Sequence, residues 1–188
     1  MLDCNGAVFV PLCGKSLDMG WLRERGAGVL GVELSPIAAE AFFEERGDEP
    51  TFHASGKFGC YEADRVRILC GDFFDLNRDD MAGVGAVYDR ASMIALPPEM
   101  RERYVRHMAS ILQTGARVLL ITLDYPQDQM DGPPFSVSPS EVEALYRDCA
   151  KISLLAQADV LSDNPRFAER GLARLLENIY LLEFKPRC

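Results

Sequence analysis

The chain has 188 residues, 20 of them Lys or Arg and 29 Asp or Glu, for a formal net charge of −9, and 48% are hydrophobic. That length suits one domain with a full core, and the negative charge excludes a general nucleic-acid binder or a ligand of anionic membranes, both of which need a basic face. No apolar run reaches transmembrane length and no signal peptide is visible, so the expected compartment is the cytoplasm.

Ala7 to Val10 reads as a short buried strand of the kind a parallel sheet covers on both faces. Pro11 ends its ladder, having no N–H to donate. Gly14 lets the backbone turn or approach a ligand closely. Ser16 caps the helix that follows, with Trp21 and Leu22 on its apolar side and Gly26 at its end. A strand that feeds a helix N-terminus in this way offers free N–H groups to an anion or a nucleotide.

Val29 to Glu33 is a second buried strand, and its carboxylate lies nineteen residues after Gly14. In open α/β sheets an acidic residue about 20 residues past the glycine turn accepts hydrogen bonds from ribose hydroxyls. The bland alternative is that Glu33 caps the next helix. That helix starts at Ser35-Pro36, carries Ala38, Ala41 and Phe42 in its stripe, and ends at Gly47. Residues 47–64 suit a long loop or a small hairpin on the ligand face.

Val66 to Cys70 is a third strand, followed by Asp72, Phe73 and Phe74. An acidic residue there is placed to meet an adenine edge with an aromatic ring beside the base. Equally, Asp72 caps a turn and the rings are core, the preferred reading for Phe74 and Leu76. Gly85 to Tyr88 is a fourth strand ending in Asp89-Arg90, at the strand end where such sheets bind ligands. Pro97-Pro98 opens a helix to about Leu112, and Arg117 to Leu123 is the fifth strand. A polar loop from Asp124 to Val137 is broken by Pro126, Gly132, Pro133 and Pro134. Ser138 to Glu141 forms a capping box with Pro139 at the first helical position, and Val142, Leu145 and Tyr146 point inward. Ile152 to Leu161 and Leu175 to Phe184 are two last strands around an irregular Arg-containing loop, with no helix between them, so they pair antiparallel.

Alternating strands and helices with a terminal β-pair give an α/β sandwich, its mostly parallel sheet seven-stranded. A competing reading is a phosphate-cradling P-loop ending in Gly14-Lys15-Ser16, with the strand to Asp124 holding magnesium. The P-loop needs glycine where Phe9 stands, so that reading ranks second. The six cysteines show no C-x-x-C spacing and only His53 and His107 accompany them, so no metal site is expected and the thiols read as reduced and structural. No G-x-S-x-G elbow supports a hydrolase.

The run from Val8 to Met19, Gly31-Val32-Glu33, Asp89-Arg90 and Gly132-Pro133-Pro134-Phe135 together resemble the thiopurine S-methyltransferase family, its bacterial members above all, from about Val8 to the C-terminus. The resemblance implies a class I (Rossmann-like) methyltransferase fold using S-adenosylmethionine (SAM), and a small aromatic or heterocyclic thiol as acceptor. Selenium and tellurium species are a family-level variant. It implies that Leu12 and Gly14 border the methionine moiety, Glu33 holds the ribose, and Asp72 and Phe73 flank the adenine. Arg90 serves both cofactor and acceptor, and Arg166, with Arg170 close by, serves the acceptor. The chain is expected to be a single methyltransferase domain, residues 1–188, working as a monomer. Family members carry an aromatic N-terminal segment that covers the cofactor, and its absence from residues 1–188 is expected to mean either that the sequence is a piece of a longer chain or that this member has lost the segment. A catalytically impaired SAM-binding module is therefore a further alternative.

Overall fold

The computed structural model describes residues 6–186. The chain divides into two units, one running to Tyr88 and one starting at Asp89.

In the first unit, β1 (Ala7–Val10) leads to α1 (Leu17–Glu24), β2 (Val29–Glu33) and α2 (Pro36–Glu44). A hairpin follows, β3 (Thr51–Ser55) and β4 (Phe58–Ala63), and then β5 (Val66–Cys70) and β6 (Val84–Asp89). The order across this part of the sheet is β3-β4-β5-β2-β1-β6. β5, β2, β1 and β6 run parallel, whereas β3 and β4 join antiparallel. From β1 the chain steps outward through β2 to β5 and then returns to the other side of β1. The carboxyl end of β1 is therefore a topological switch point, where open sheets leave a crevice. Val8, Val10, Val29 and Ile68 pack against Met19, Leu22, Phe42 and Phe43 of the two helices.

One local reading changes and one open choice is decided. Trp21 is 52% exposed and lies under the Arg25 guanidinium, 4.2 Å from its ring centre, because Met19, Gly20 and Leu22 take the buried face of this short helix. Residues 51–63 form the small hairpin, one of the two forms expected for this stretch, with the Phe52 and Tyr61 rings 4.8 Å apart. Its outer strand is exposed along nearly its whole length, and pairing with β4 defines it.

The second unit holds α3 (Ser92–Ala95), α4 (Pro98–Ile111), β7 (Arg117–Asp124), α5 (Pro139–Tyr146), β8 (Ala150–Asp159), α6 (Pro165–Glu169) and β9 (Leu176–Phe184). Its strands lie in the order β7-β9-β8, antiparallel throughout, so the terminal β-pair forms as the sequence implies. The described strands number nine, not seven, the hairpin supplying the extra two. A short helix, α6, interrupts the loop between the last two strands, where no helix is expected from the sequence. At α5 only half of the capping box forms. Ser138 Oγ accepts from the Glu141 amide, while the Glu141 carboxylate accepts from Arg101. No helix of the described residues is long and apolar enough to cross a membrane.

Candidate active site

The turn after β1 is held from the side by the end of β2. Leu12 (φ 45°) and Gly14 (φ 51°) both adopt left-handed backbone, which turns the chain back on itself within three residues. The Cys13 amide donates to the Val32 carbonyl at 2.9 Å, and the Gly14 amide donates to Glu33 Oε2 at 2.8 Å. Glu33 Oε1 accepts from the Ser35 amide at 2.8 Å, so one carboxylate fixes both the turn and the start of α2. The ligand and capping readings of Glu33 are thus compatible: each oxygen uses one lone pair on an amide and keeps another. A side chain built at Gly14 meets nothing within 4 Å, so the turn borders open space.

Close packing underlies this turn. A Cβ at Gly31 stands 2.7 Å from Cys13 Sγ and 3.3 Å from Met19 Sδ, so only glycine leaves room for the cysteine. Burial first, and then the Glu33 charge, push the Cys13 thiol well above its ordinary range. It stays protonated and unreactive at neutral pH. On the far side of the turn, the Tyr88 hydroxyl donates to Asp18 Oδ2 at 3.3 Å.

At the end of β5, the Gly71 amide donates to the Glu33 carbonyl at 2.9 Å, which brings Asp72 and Phe73 to the strand end beside Glu33. Asp72 is exposed and caps a single helical turn by accepting from the Phe74 amide at 2.9 Å. Phe73 is 6% exposed and Leu76 is core, while Phe74 is only half-buried. Phe58 of the hairpin lies against Gly71, where an added Cβ falls 2.6 Å from its ring.

The second unit opens on Asp89, 1% exposed, with exposed Arg90 after it. The Asp89 carboxylate accepts from Tyr104 Oη at 2.6 Å and from the Ser92 amide at 3.1 Å. Burial raises its pKa, while the Tyr104 and Ser92 hydrogen bonds pull it back. Asp89 is thus an internal acceptor, while Arg90 is exposed. The loop after β7 is stapled at both ends. The Tyr125 hydroxyl donates to the Pro134 carbonyl at 2.6 Å and Gln127 Oε1 accepts from the Ser136 amide at 2.9 Å. Arg166 sits in the last turn of α6, exposed, with its guanidinium 4.9 Å from the Phe167 ring, and Arg170 caps that helix. Phe167 packs with Tyr125 and Met130, so α6 and the proline-rich loop share one apolar cluster.

The sequence places Tyr104 on the apolar side of α4, with Met100, Met108, Ile111 and Leu112, and leaves out Arg101. Tyr104 and Arg101 are both 1% exposed or less and lie one helical turn apart on α4. An arginine on the apolar stripe of a helix was the available signal.

A mostly parallel α/β sheet with a glycine turn and an acidic residue at its switch point, together with a terminal antiparallel strand pair, is the architecture of the class I methyltransferase fold. Solved structures agree. The chain aligns over 99% of its length with a SAM-dependent methyltransferase from Methanosarcina mazei, covering 95% of that chain (TM-score 0.69, 12% identity). It aligns over 98% of its length with the Burkholderia thailandensis 1,6-didemethyltoxoflavin-N1-methyltransferase, solved with S-adenosylhomocysteine bound, covering 73% of that chain (TM-score 0.61, 16% identity).

The particular family follows from sequence comparison. The family profile for thiopurine S-methyltransferase matches residues 2–185. The thiopurine S-methyltransferase of Nitrosospira multiformis is 59% identical over 175 residues, which is 93% of this chain and 80% of that protein. The Pseudomonas fluorescens enzyme is 53% identical over 179 residues, 95% of this chain and 82% of its own length. The chain belongs to the thiopurine S-methyltransferase family.

Proposed function

We propose that this protein transfers the methyl group of SAM to the sulfur of a small aromatic or heterocyclic thiol, as a single methyltransferase domain. The observation that carries the cofactor half of this reading is the Gly14–Glu33 hydrogen bond at the switch point of the sheet. The residues fit SAM: the turn borders open space at Gly14, and the pinned Glu33 carboxylate keeps acceptor capacity for a ribose diol. Leu12 and Gly14 would border the methionine moiety, and Asp72 and Phe73 the adenine. Arg90 and Arg166 are the acceptor-side cations.

SAM, held by Leu12, Gly14, Glu33, Asp72 and Phe73, would supply an activated methyl group on a sulfonium to the acceptor sulfur. The protein's part is to hold the two reactants in line in a dry site, which is worth about 7–11 kcal/mol in favourable cases. Arg90 favours the thiolate form of the acceptor by its charge. A heterocyclic thiol ionises readily, so no strong general base is required. Asp89 is not one, because its carboxylate is internal and engaged by Tyr104 and Ser92. Phosphoryl transfer finds no support: Phe9, 0% exposed inside β1, stands where a P-loop needs glycine.

Calorimetry with SAM, S-adenosylhomocysteine and ATP, followed by turnover of a thiopurine, tests the reading. Binding of the first two with thiopurine methylation is the expected result. Binding of ATP alone overturns it, and SAM binding without turnover of any thiol reduces the protein to a binding module.

A further inference from the structure

We infer that α4 is a positioning helix, in which Tyr104 and Arg101 hold the Asp89–Arg90 turn and the loop of residues 125–137 in one fixed arrangement. The inference rests on the reading that these two segments serve the acceptor.

Tyr104 reaches one segment. Its hydroxyl donates to Asp89 Oδ2 at 2.6 Å, and the other Asp89 oxygen holds the Ser92 amide at 3.1 Å. Arg90 is the residue after that carboxylate, so its backbone is fixed on one side by the end of β6 and on the other by the Asp89–Ser92 turn. Arg101 reaches the other segment. Its Nε donates to the Leu96 carbonyl at 3.0 Å, and its Nη1 donates to the Ser136 carbonyl at 3.1 Å and to Glu141 Oε1 at 2.6 Å. Those acceptors belong to the end of α3, the proline-rich loop and α5. A further tie joins the 125–137 loop to α3, the helix that follows the Asp89–Arg90 turn, where the Phe135 amide donates to the Ile94 carbonyl at 2.6 Å.

Stability alone does not explain these choices. The Arg101–Glu141 pair is buried on the arginine side only, with Glu141 31% exposed, and such a pair is weak support for a fold, where a well-packed apolar residue serves as well or better. An apolar side chain at residue 101 would fill the space yet fix none of the three segments. A planar guanidinium, by contrast, has directional donors for all of them. Second-sphere groups of this kind set how accurately a site is held, and a displacement of about 1 Å can cost up to roughly a hundredfold in rate.

The test compares Tyr104→Phe, Arg101→Met and Arg101→Lys with Val105→Ala, a buried apolar change on the same helix that touches neither clamp. Hydrogen exchange is read residue by residue on the folded proteins, and thiopurine methylation is measured at saturating SAM. In Arg101→Met the amides of Phe135, Ser136 and Val137 should exchange about tenfold faster while those of β7 and β9 keep wild-type protection. Arg101→Lys should not restore them. In Tyr104→Phe the same local rise should fall on Ser92 and Met93. Thiopurine kcat/KM should drop about tenfold in all three with S-adenosylhomocysteine affinity unchanged, and stay near wild type in Val105→Ala. Exchange that rises evenly across residues 117–184, or does not rise at all, overturns the inference. So does a local rise with unchanged kcat/KM in an active enzyme. A wild-type protein that methylates no thiol sinks the proposed function instead, and the exchange pattern still decides whether α4 clamps the two segments.

Discussion

The amide of Gly14 donates to Oε2 of Glu33 at 2.8 Å, joining two turns that are nineteen residues apart in the chain. The contact makes the acidic end of β2 part of the glycine turn rather than a neighbour of it. Removing the carboxylate therefore acts twice.

Glu33→Ala leaves the Gly14 and Ser35 amides without their acceptor, and should cost about 1–3 kcal/mol of stability and a similar amount of SAM affinity. Glu33→Gln keeps one acceptor oxygen and should fall between the two. Thermal melts and calorimetry with S-adenosylhomocysteine read the two losses separately. A folded Glu33→Ala with wild-type affinity removes Glu33 from the cofactor site.

Gly31→Ala places a methyl group 2.7 Å from Cys13 Sγ. Overpacking of this kind should destabilise by about 1–3 kcal/mol. Cys13→Ala in the same chain should recover part of the loss, since it removes the clashing atom. Strict additivity in a double-mutant cycle by chemical denaturation shows that the two residues do not press on one another.

Cys13→Ser should keep most methyl transfer, because the thiol is buried and held protonated and gains nothing as a second acceptor. Arg90→Ala should cost far more, and Arg90→Lys should recover only part of it, as a point charge does not orient a partner as a planar fork does. Single-turnover methylation of a thiopurine at saturating SAM, with the fold followed by circular dichroism, ranks the three. An inactive, folded Cys13→Ser beside an active Arg90→Ala reverses the mechanism.

Asp89 gives a pH signature. Burial raises its pKa in the folded state, so the native protein holds that proton to a higher pH than the unfolded chain does. The resulting stability is fully present below the unfolded carboxylate pKa and is lost as pH rises through the folded value. Asp89→Asn has no such dependence. Its melting temperature relative to wild type should therefore be more favourable at pH 7 than at pH 4. A constant difference across that range means that Asp89 titrates as an ordinary carboxylate.

Periodicity and turn chemistry in the sequence determined the parallel strands, the caps at Ser16, Ser35 and Ser138, the antiparallel terminal pair and the Gly14–Glu33 pairing of signals. Those features rest on local physics: β-branched runs, residues that satisfy helix ends, and glycine where φ is positive. Tertiary structure alone decided the rest. Between the loop and the hairpin that the sequence left open at residues 47–64, pairing with β4 decided, since β3 is exposed on both faces, and Trp21 turned outward because Met19 and Leu22 had already filled the helix's buried side. The Glu141 carboxylate left its own helix cap for Arg101, forty residues away. Arg101 and Tyr104 were unreadable as a pair because their partners come from segments distant in sequence. Hydrogen bonds between such segments exist only after the chain has folded them into contact.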